Sequence, residues 1–399
     1  MWESEFRDQY ILIEVTDFCN LNCVMCSHEN IPGPHSRAKG FMSFEQFKKI
    51  VDELPEKKVA YGYKLFWLGE PFLNPDFPAM LSYLYSKIRN RPEYIDLHTN
   101  AHFLHADNRK LLLQCGDKIP RLTISLDAIR PETYRKIRRG GELKNAMENV
   151  NALLAEREQA GLTQPTLIFQ FIIMDENREE ALEFQNYWKE RVISLKKKSG
   201  FFQKLAQNIF SERLTDVVWF KRIDVAPERR AWAERIYLET ARKFGLKKEK
   251  NNEIEVIVSI DNLWDSEMKT SEPAIPVSPA TEHNSLPSRP VCSAPFKSPC
   301  IMWDGTLTVC CFDPAMQYCL GNLRDKTFTE LWHGPLMDKF RLSQIRGEFD
   351  KIITADGFPK CLHCTGYDTP RITDEEIRQY LAATGRTDEW NYYLRRRYG

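Results

Sequence analysis

Residues 10–30 read YILIEVTDFCNLNCVMCSHEN. Tyr10 to Thr16 have the apolar, β-branched character of a strand, and the chain runs from them directly into Cys19, Cys23 and Cys26. The C-x3-C-x2-C spacing sets three thiols on one short loop, where four would saturate a [4Fe-4S] cube. One iron is left open to a ligand, whereas a cluster held by cysteine at every iron is normally confined to electron transfer. The same triplet also suits zinc, with His28 or His35 as fourth ligand.

Outward from this loop, β-rich runs alternate with helical patterns: YKLFWLG (63–69), YIDLHT (94–99), RLTISLD (121–127), TLIFQFIIM (166–174) and DVVWFKRI (216–223). Ser43 with Gln46 gives a capping-box pattern, and Asp107 opens a helix that Gly116 closes. Six βα units predict an α/β fold, a parallel sheet bent into a partial (βα)6 TIM-like barrel rather than a closed eight-fold one. Such folds collect ligands at the C-terminal strand ends. The cysteine triplet falls there after the first strand, and GEP (69–71), TNA (99–101) and SLDA (125–128) fall there after the next three.

The chain has 399 residues, enough for more than one domain, and 56 Lys and Arg against 56 Asp and Glu. That balance speaks against nucleic acid or an anionic membrane as partner. No apolar run approaches a membrane span, and mean hydropathy is −0.48. The opening MWESEFRDQY has no apolar signal core, so the expected location is cytoplasmic. Eleven cysteines in such a chain point to metal or cluster ligation rather than disulfides. Three lie in the first loop and seven between Cys292 and Cys364, which implies two sites; Cys115 reads as a small buried hydrophobe.

The triplet together with Gly69-Glu70-Pro71, Thr99-Asn100 and Ser125 to Ala128 resembles the radical S-adenosylmethionine (SAM) superfamily. The resemblance implies that Cys19, Cys23 and Cys26 hold a [4Fe-4S] cluster whose open iron chelates SAM and releases a 5′-deoxyadenosyl radical. It implies that Gly69, Glu70 and Pro71 receive the SAM ammonium, and that Thr99 and Asn100 stand where the superfamily often reads TNG, with Ala101 in place of the glycine. Ser125 would bond the SAM carboxylate or ribose, with Asp127 of the same element also counted at the SAM site. Arg138 would pair with the carboxylate as a fork donor, an exposed helix charge being the alternative. Met25 would pack near the adenine, and Gln170 and Ile172 would line the cavity, unless they are ordinary core.

The later cysteines run C-x7-C (Cys292, Cys300), C-C (Cys310, Cys311), Cys319 and C-x2-C (Cys361, Cys364). CSAP, WDGTLTVCCFD, LGNLRDKTFTELW and CLHC resemble the SPASM/twitch extension of radical SAM enzymes, including its C-x12-G-x4-C opening at Cys292, Gly305 and Cys310. No cysteine follows Cys364, so the resemblance implies the shorter twitch form, with one auxiliary [4Fe-4S] cluster on Cys292, Cys310, Cys361 and Cys364. Cys300, Cys311 and Cys319 are left as free thiols or alternative ligands. Structural zinc suits the same four thiols by spacing alone.

The expected organisation is a radical SAM barrel at 1–245, a linker or wrap at 246–291, a SPASM/twitch domain at 292–370 and a helical tail at 371–399. The resemblance implies a dehydrogenase: hydrogen abstraction from an unactivated C–H bond, then loss of a proton and of an electron to the auxiliary cluster. The expected substrate is a small hydroxylated molecule such as a sugar or aminocyclitol. Trp219, Asp224, Trp303 and Asp313 are candidates to face it, with core and turn roles as alternatives. The expected electron donor is a flavodoxin or ferredoxin. A peptide maturase or an epimerase would use the same SAM site, and a zinc-binding interaction protein would need neither SAM nor iron.

Overall fold

The computed structural model describes residues 9–26, 38–54, 62–198, 215–225, 229–250, 254–258, 289–313, 315–353, 361, 364 and 371–398. His28 and His35 lie outside them. The chain divides into two compact units, one of residues 13–51 and 62–260, the other of residues 1–12, 52–61 and 261–399. The first strand, β1 (Tyr10–Ile13), crosses this division, its first three residues belonging to the second unit.

In the first unit, β2 (Gly62–Lys64), β3 (Tyr94–Thr99), β4 (Arg121–Ser125), β5 (Thr166–Ile173), β6 (Asp216–Arg222) and β7 (Ile254–Val258) lie side by side in chain order, every pair parallel. The connections carry α1 (Phe44–Glu53), α2 (Phe77–Ile88), α3 (Ala106–Gln114), α4 (Pro131–Ile137), α5 (Leu143–Gln159), α6 (Ala181–Lys198) and α7 (Arg230–Phe244). Strand alternation sorts the side chains into two faces. One face is mainly apolar: Ile95, Leu97, Leu122, Ile124, Leu167, Phe169, Phe171, Val218 and Phe220 are all fully buried. Helix α6 covers part of it, Trp188 stacking on Phe169 at 4.0 Å and Phe184 meeting Phe171 at 4.9 Å. Each such side chain contributes about 1.5–3 kcal/mol by leaving water. The opposite face is polar, and it carries Ser125 in register with Gln170.

Two elements differ from expectation. The second strand is only Gly62–Lys64, and β7 lies inside the stretch expected to be a linker. The β-branched run IEVIV (254–258) pairs with β6 along its whole length, from Ile254 opposite Asp216 to Val258 opposite Phe220. The Pro- and Ser-rich composition that suggested a linker begins only at about residue 264.

The second unit has a sheet ordered β10 (Cys319–Asn322), β9 (Thr306–Thr308), β8 (Cys300–Ile301), β1, with Leu12 N–H donating to Pro299 O at 3.0 Å. Its helices are α8 (Ala294–Lys297), α9 (Phe328–Trp332), α10 (Pro335–Ile345), α11 (Asp374–Ala383) and α12 (Asp388–Tyr398). The residues expected to form a tail with one terminal helix instead form two. Ile377, Tyr380, Leu381 and Tyr393 from them share one core with Val291, Phe296, Ile345 and Ile372. Thr373 and Glu376 close a capping box at the start of α11. Among the described residues no helix is long and apolar enough to cross a membrane.

Candidate functional site

Two glycine contacts hold the first cysteine loop. A Cβ on Gly69 would stand 2.2 Å from Thr16 O and 2.8 Å from Phe18 O, so only glycine lets the segment after β2 press against the loop. Glu70 N–H then donates to Phe18 O at 2.9 Å. On the other side, Asn22–Cys23 pairs antiparallel with Arg138–Arg139, and Val24 N–H donates to Ile137 O at 2.9 Å. Gly140, at φ 87°, and Gly141 follow at once, close against Asn20 and Leu21.

The sulfurs receive N–H donors. Leu21 N lies 3.4 Å and Asn100 Nδ2 3.9 Å from Cys19 Sγ, and Arg138 Nη1 lies 3.6 Å from Cys23 Sγ. Burial pushes the Cys19 thiol up to about 12, with the Leu21 N–H opposing. Burial also raises Cys23, against the charge of Arg138. Cys26 is half-buried, its N–H donating to Cys23 O at 3.1 Å.

Arg138 is no exposed helix charge. It sits just past the end of α4 at 6% exposure, and its Nε and Nη2 both donate to Asp127 Oδ2, the former at 2.9 Å. The fork expected for the SAM carboxylate is thus engaged by Asp127, and Nη1 faces Cys23. Burial works against the guanidinium charge, but Asp127 outweighs it and raises the Arg138 pKa. Asp127 itself is fully buried at φ 60°, its Oδ1 accepting from Ile172 N at 2.6 Å.

Glu70 gathers the strand ends. Its Oε1 accepts from Thr99 Oγ1 at 2.8 Å and from Phe72 N at 3.4 Å, and its Oε2 from Asn100 N at 2.8 Å. Burial pushes the Glu70 carboxyl up to about 7, with the Asn100, Thr99 and Phe72 bonds opposing. Pro71 opens a short 3-10 turn, Pro71–Leu73, that Glu70 caps. Ala101, in the place of the superfamily's frequent glycine, has φ 67°, and its N–H donates to Thr99 Oγ1 at 3.0 Å. Ser125 and Met25 are half-buried and Gln170 is buried, its carbonyl accepting from Leu126 N and Asp127 N.

Two residues of this network escaped the sequence reading. Asn20, within the loop, accepts from Asn100 Nδ2 at 2.8 Å. Asn177, fully buried after β5, donates from Nδ2 to both Asp127 O and Ile172 O at 2.8 Å. The signal for both is a backbone or amide group at a strand end that needs a partner.

In the second unit, Gly305 at φ 86° makes the turn between β8 and β9, which accounts for the glycine of C-x12-G-x4-C. Cys292 bridges to Arg371, and Ile372 N–H donates to Val291 O at 3.2 Å, tying the start of the cysteine set to the segment that leads into α11. Buried Gln344 touches two of the expected ligands: it accepts from Cys292 N at 3.1 Å, and its Nε2 lies 4.0 Å from Cys361 Sγ. Burial raises the Cys292, Cys310 and Cys361 thiols, and the neighbouring cysteines raise them further; Cys361 reaches about 12.

Cys300 is fully buried and bonds Ser298 O at 3.4 Å, Cys311 lies 3.7 Å from Tyr10 Oη, and Cys319 is exposed. Asp313 has the turn role, accepting from Thr308 Oγ1 at 2.6 Å and from Gln317 N and Tyr318 N at 2.9 Å. Trp303 is half-buried in the turn after β8, and Asp224 pairs with Lys221 at 2.5 Å.

All described cysteines are free thiols. The donor set does fit an iron-sulfur cluster: three thiols on one loop, with N–H groups and a buried guanidinium turned to the sulfurs, the contacts by which proteins tune such clusters.

Fold and loop together define a radical SAM protein, and comparison with known proteins agrees. Residues 13–187 match the radical SAM superfamily and residues 292–365 the SPASM iron-sulfur cluster-binding domain. The chain belongs to the radical SAM superfamily, with a C-terminal SPASM domain. These two domains imply SAM, a [4Fe-4S] cluster and an auxiliary iron-sulfur cluster as cofactors.

The chain is 28% identical to a GTP 3′,8-cyclase of Hydrogenovibrio crunogenus over 44% of its own length and 49% of the cyclase. It is 25% identical to the tungsten-containing aldehyde ferredoxin oxidoreductase cofactor-modifying protein of Pyrococcus furiosus, over 55% of this chain and 57% of that protein. It thus spans about half the length of the curated relatives it matches. In fold it resembles anSMEcpe with bound AdoMet, with TM-score 0.55, 16% identity and coverage of 98% of this chain and 99% of that one. It also resembles Streptococcus suis SuiB bound to precursor peptide SuiA, with TM-score 0.51, 14% identity and coverage of 91% and 71%.

Proposed function

We propose that this radical SAM enzyme is an oxidoreductase that dehydrogenates a hydroxylated small molecule such as a sugar or aminocyclitol. The observation that carries the reading is the pair of cysteine sites: a three-cysteine loop tied into the strand ends, and a separate set of four able to close a cluster completely. When bound, the first cluster supplies the electron that turns SAM into a 5′-deoxyadenosyl radical, and the second, without an open iron, serves as electron acceptor. Cys19, Cys23 and Cys26 hold the former; Cys292, Cys310, Cys361 and Cys364 hold one auxiliary [4Fe-4S] cluster.

The chain's own groups prepare the site. Glu70 fixes Thr99 and Asn100, and Asp127 fixes Arg138 against Cys23. Gly69, Pro71, Ser125, Gln170 and Met25 contribute the remaining SAM contacts. A flavodoxin or ferredoxin delivers the electron. The small-molecule reading is supported by two relatives, one named for GTP cyclisation and one for cofactor modification.

The test is anaerobic reconstitution with iron counting and a SAM cleavage assay. About eight irons are expected in the wild type, falling to about four in a Cys19→Ala, Cys23→Ala, Cys26→Ala variant that makes no 5′-deoxyadenosine. Carbon-deuterated polyols and aminocyclitols then reveal the substrate by deuterium arriving in 5′-deoxyadenosine; deuterium from peptides alone would replace this reading with a maturase. Zinc instead of iron, or 5′-deoxyadenosine from the triple variant, would overturn it.

A further inference from the structure

The polar face of the first unit's sheet has a centre that the SAM contacts do not use. Residues paired in a parallel register share a face. Lys64 pairs with Asp96 and Asp96 with Arg121; His98 pairs with Thr123, Ser125 with Gln170, Gln170 with Trp219, and Ile172 with Lys221. His98 and Trp219 therefore lie on the same face as Ser125 and Gln170, with His98 one side-chain step before the end of its strand.

His98 stacks on Phe66 at 3.7 Å and keeps a third of its side chain exposed. Neither ring nitrogen is hydrogen-bonded to another described residue; the nearest carboxylate is Asp96 Oδ1, 3.8 Å from Nε2. The charged groups facing it are Lys64 from β2, Asp96 from its own strand and Lys221 from β6, with Arg121 beyond Asp96 on β4 and Asp224 beyond Lys221. Lys221 Nζ also lies 6.0 Å from the Trp219 ring. The Trp219 indole N–H is buried and has no hydrogen-bond partner among the described residues. An unsatisfied buried donor costs about 1–3 kcal/mol, so an oxygen-bearing ligand on this face would recover it.

We propose that His98 is the proton acceptor of the dehydrogenation, with the Trp219 indole N–H bonding a substrate oxygen. The inference rests on the oxidoreductase reading and adds to it the acceptor. The step balances: the C–H hydrogen atom leaves to the 5′-deoxyadenosyl radical, and the remaining carbon radical bears a hydroxyl. Its electron passes to an iron-sulfur acceptor and its hydroxyl proton to the imidazole, leaving C=O. Burial, Lys64 and Lys221 hold the His98 pKa well below its usual value, so the ring is neutral and free to accept. Asp96 is placed to balance the imidazolium. A weak base suffices, because an α-hydroxy radical becomes strongly acidic as its electron departs.

Two measurements decide. In the reconstituted protein without substrate, diethyl pyrocarbonate, which attacks neutral imidazole, should label His98 at pH 6 nearly as fast as at pH 8. Labelling of His98 that falls steeply from pH 8 to pH 6, or an unreactive His98, would overturn the proposal. On whichever deuterated polyol or aminocyclitol donates deuterium, His98→Gln should still transfer deuterium to 5′-deoxyadenosine but lose about 100-fold in oxidised product. Added imidazole should restore product in His98→Ala. Undiminished product in His98→Gln would overturn His98 as acceptor. Absence of 5′-deoxyadenosine from the wild type would instead overturn the reading on which it rests, and a panel without turnover would count against the substrate class, leaving the labelling ratio to decide on His98.

Discussion

Arg138 and Asp127 form a pair that is nearly closed to solvent, at 7% and 0% side-chain exposure. Such a pair seldom outdoes an apolar filling of the same volume, because both charges must first leave water. What it secures is direction: two guanidinium nitrogens are fixed on one carboxylate oxygen, and the third is left for Cys23. Removing one partner strands the other. Arg138→Leu should therefore cost the apo protein about 3–5 kcal/mol in urea denaturation, and Arg138→Lys less, since it keeps the charge but loses the fork. A loss below about 1 kcal/mol for Arg138→Leu would contradict this account. The sequence marks both residues, Asp127 in SLDA and Arg138 in KIRRG, but not their pairing. That depends on the positive φ at Asp127 and on the chain leaving α4 beside Cys23.

At the scale of elements, the cysteine loop is shaped by what approaches it. Gly69 is the tightest of these contacts, with no room for even one carbon beside Thr16 O. Gly69→Ala should push the GEP segment off the loop and cost the first cluster while sparing the second. Reconstituted iron should fall from about eight to about four per chain, and near-full loading would show that the loop gives way. The strand ends were legible because glycine, proline and short polar residues break an apolar run in a recognisable way, as at Gly69-Glu70-Pro71. Strand β7 was not: five residues carry little periodicity, and its reason for being a strand is the neighbouring β6, which no local pattern shows. The polar face holding His98 was equally hidden, since it exists only when the strands lie in register.

For the whole molecule, residues 371–399 matter to the second unit more than composition suggests. Helices α11 and α12 supply Ile377, Tyr380, Leu381 and Tyr393 to the core that also holds Val291, next to Cys292. A chain ending at residue 370 should keep SAM cleavage but lose about four irons and the protease resistance of residues 289–353; retention of both would make the helices an appendage after all. Strand β1 has a different consequence. Its first three residues belong with β8, whose Cys300 and Ile301 lie nearly three hundred positions downstream, while Ile13 already belongs to the other unit. A ribosome releases Tyr10–Leu12 long before the β8 residues they pair with. The edge that this strand offers to β8 must therefore stay open until those distant residues have been made, and the second unit can be completed only after them.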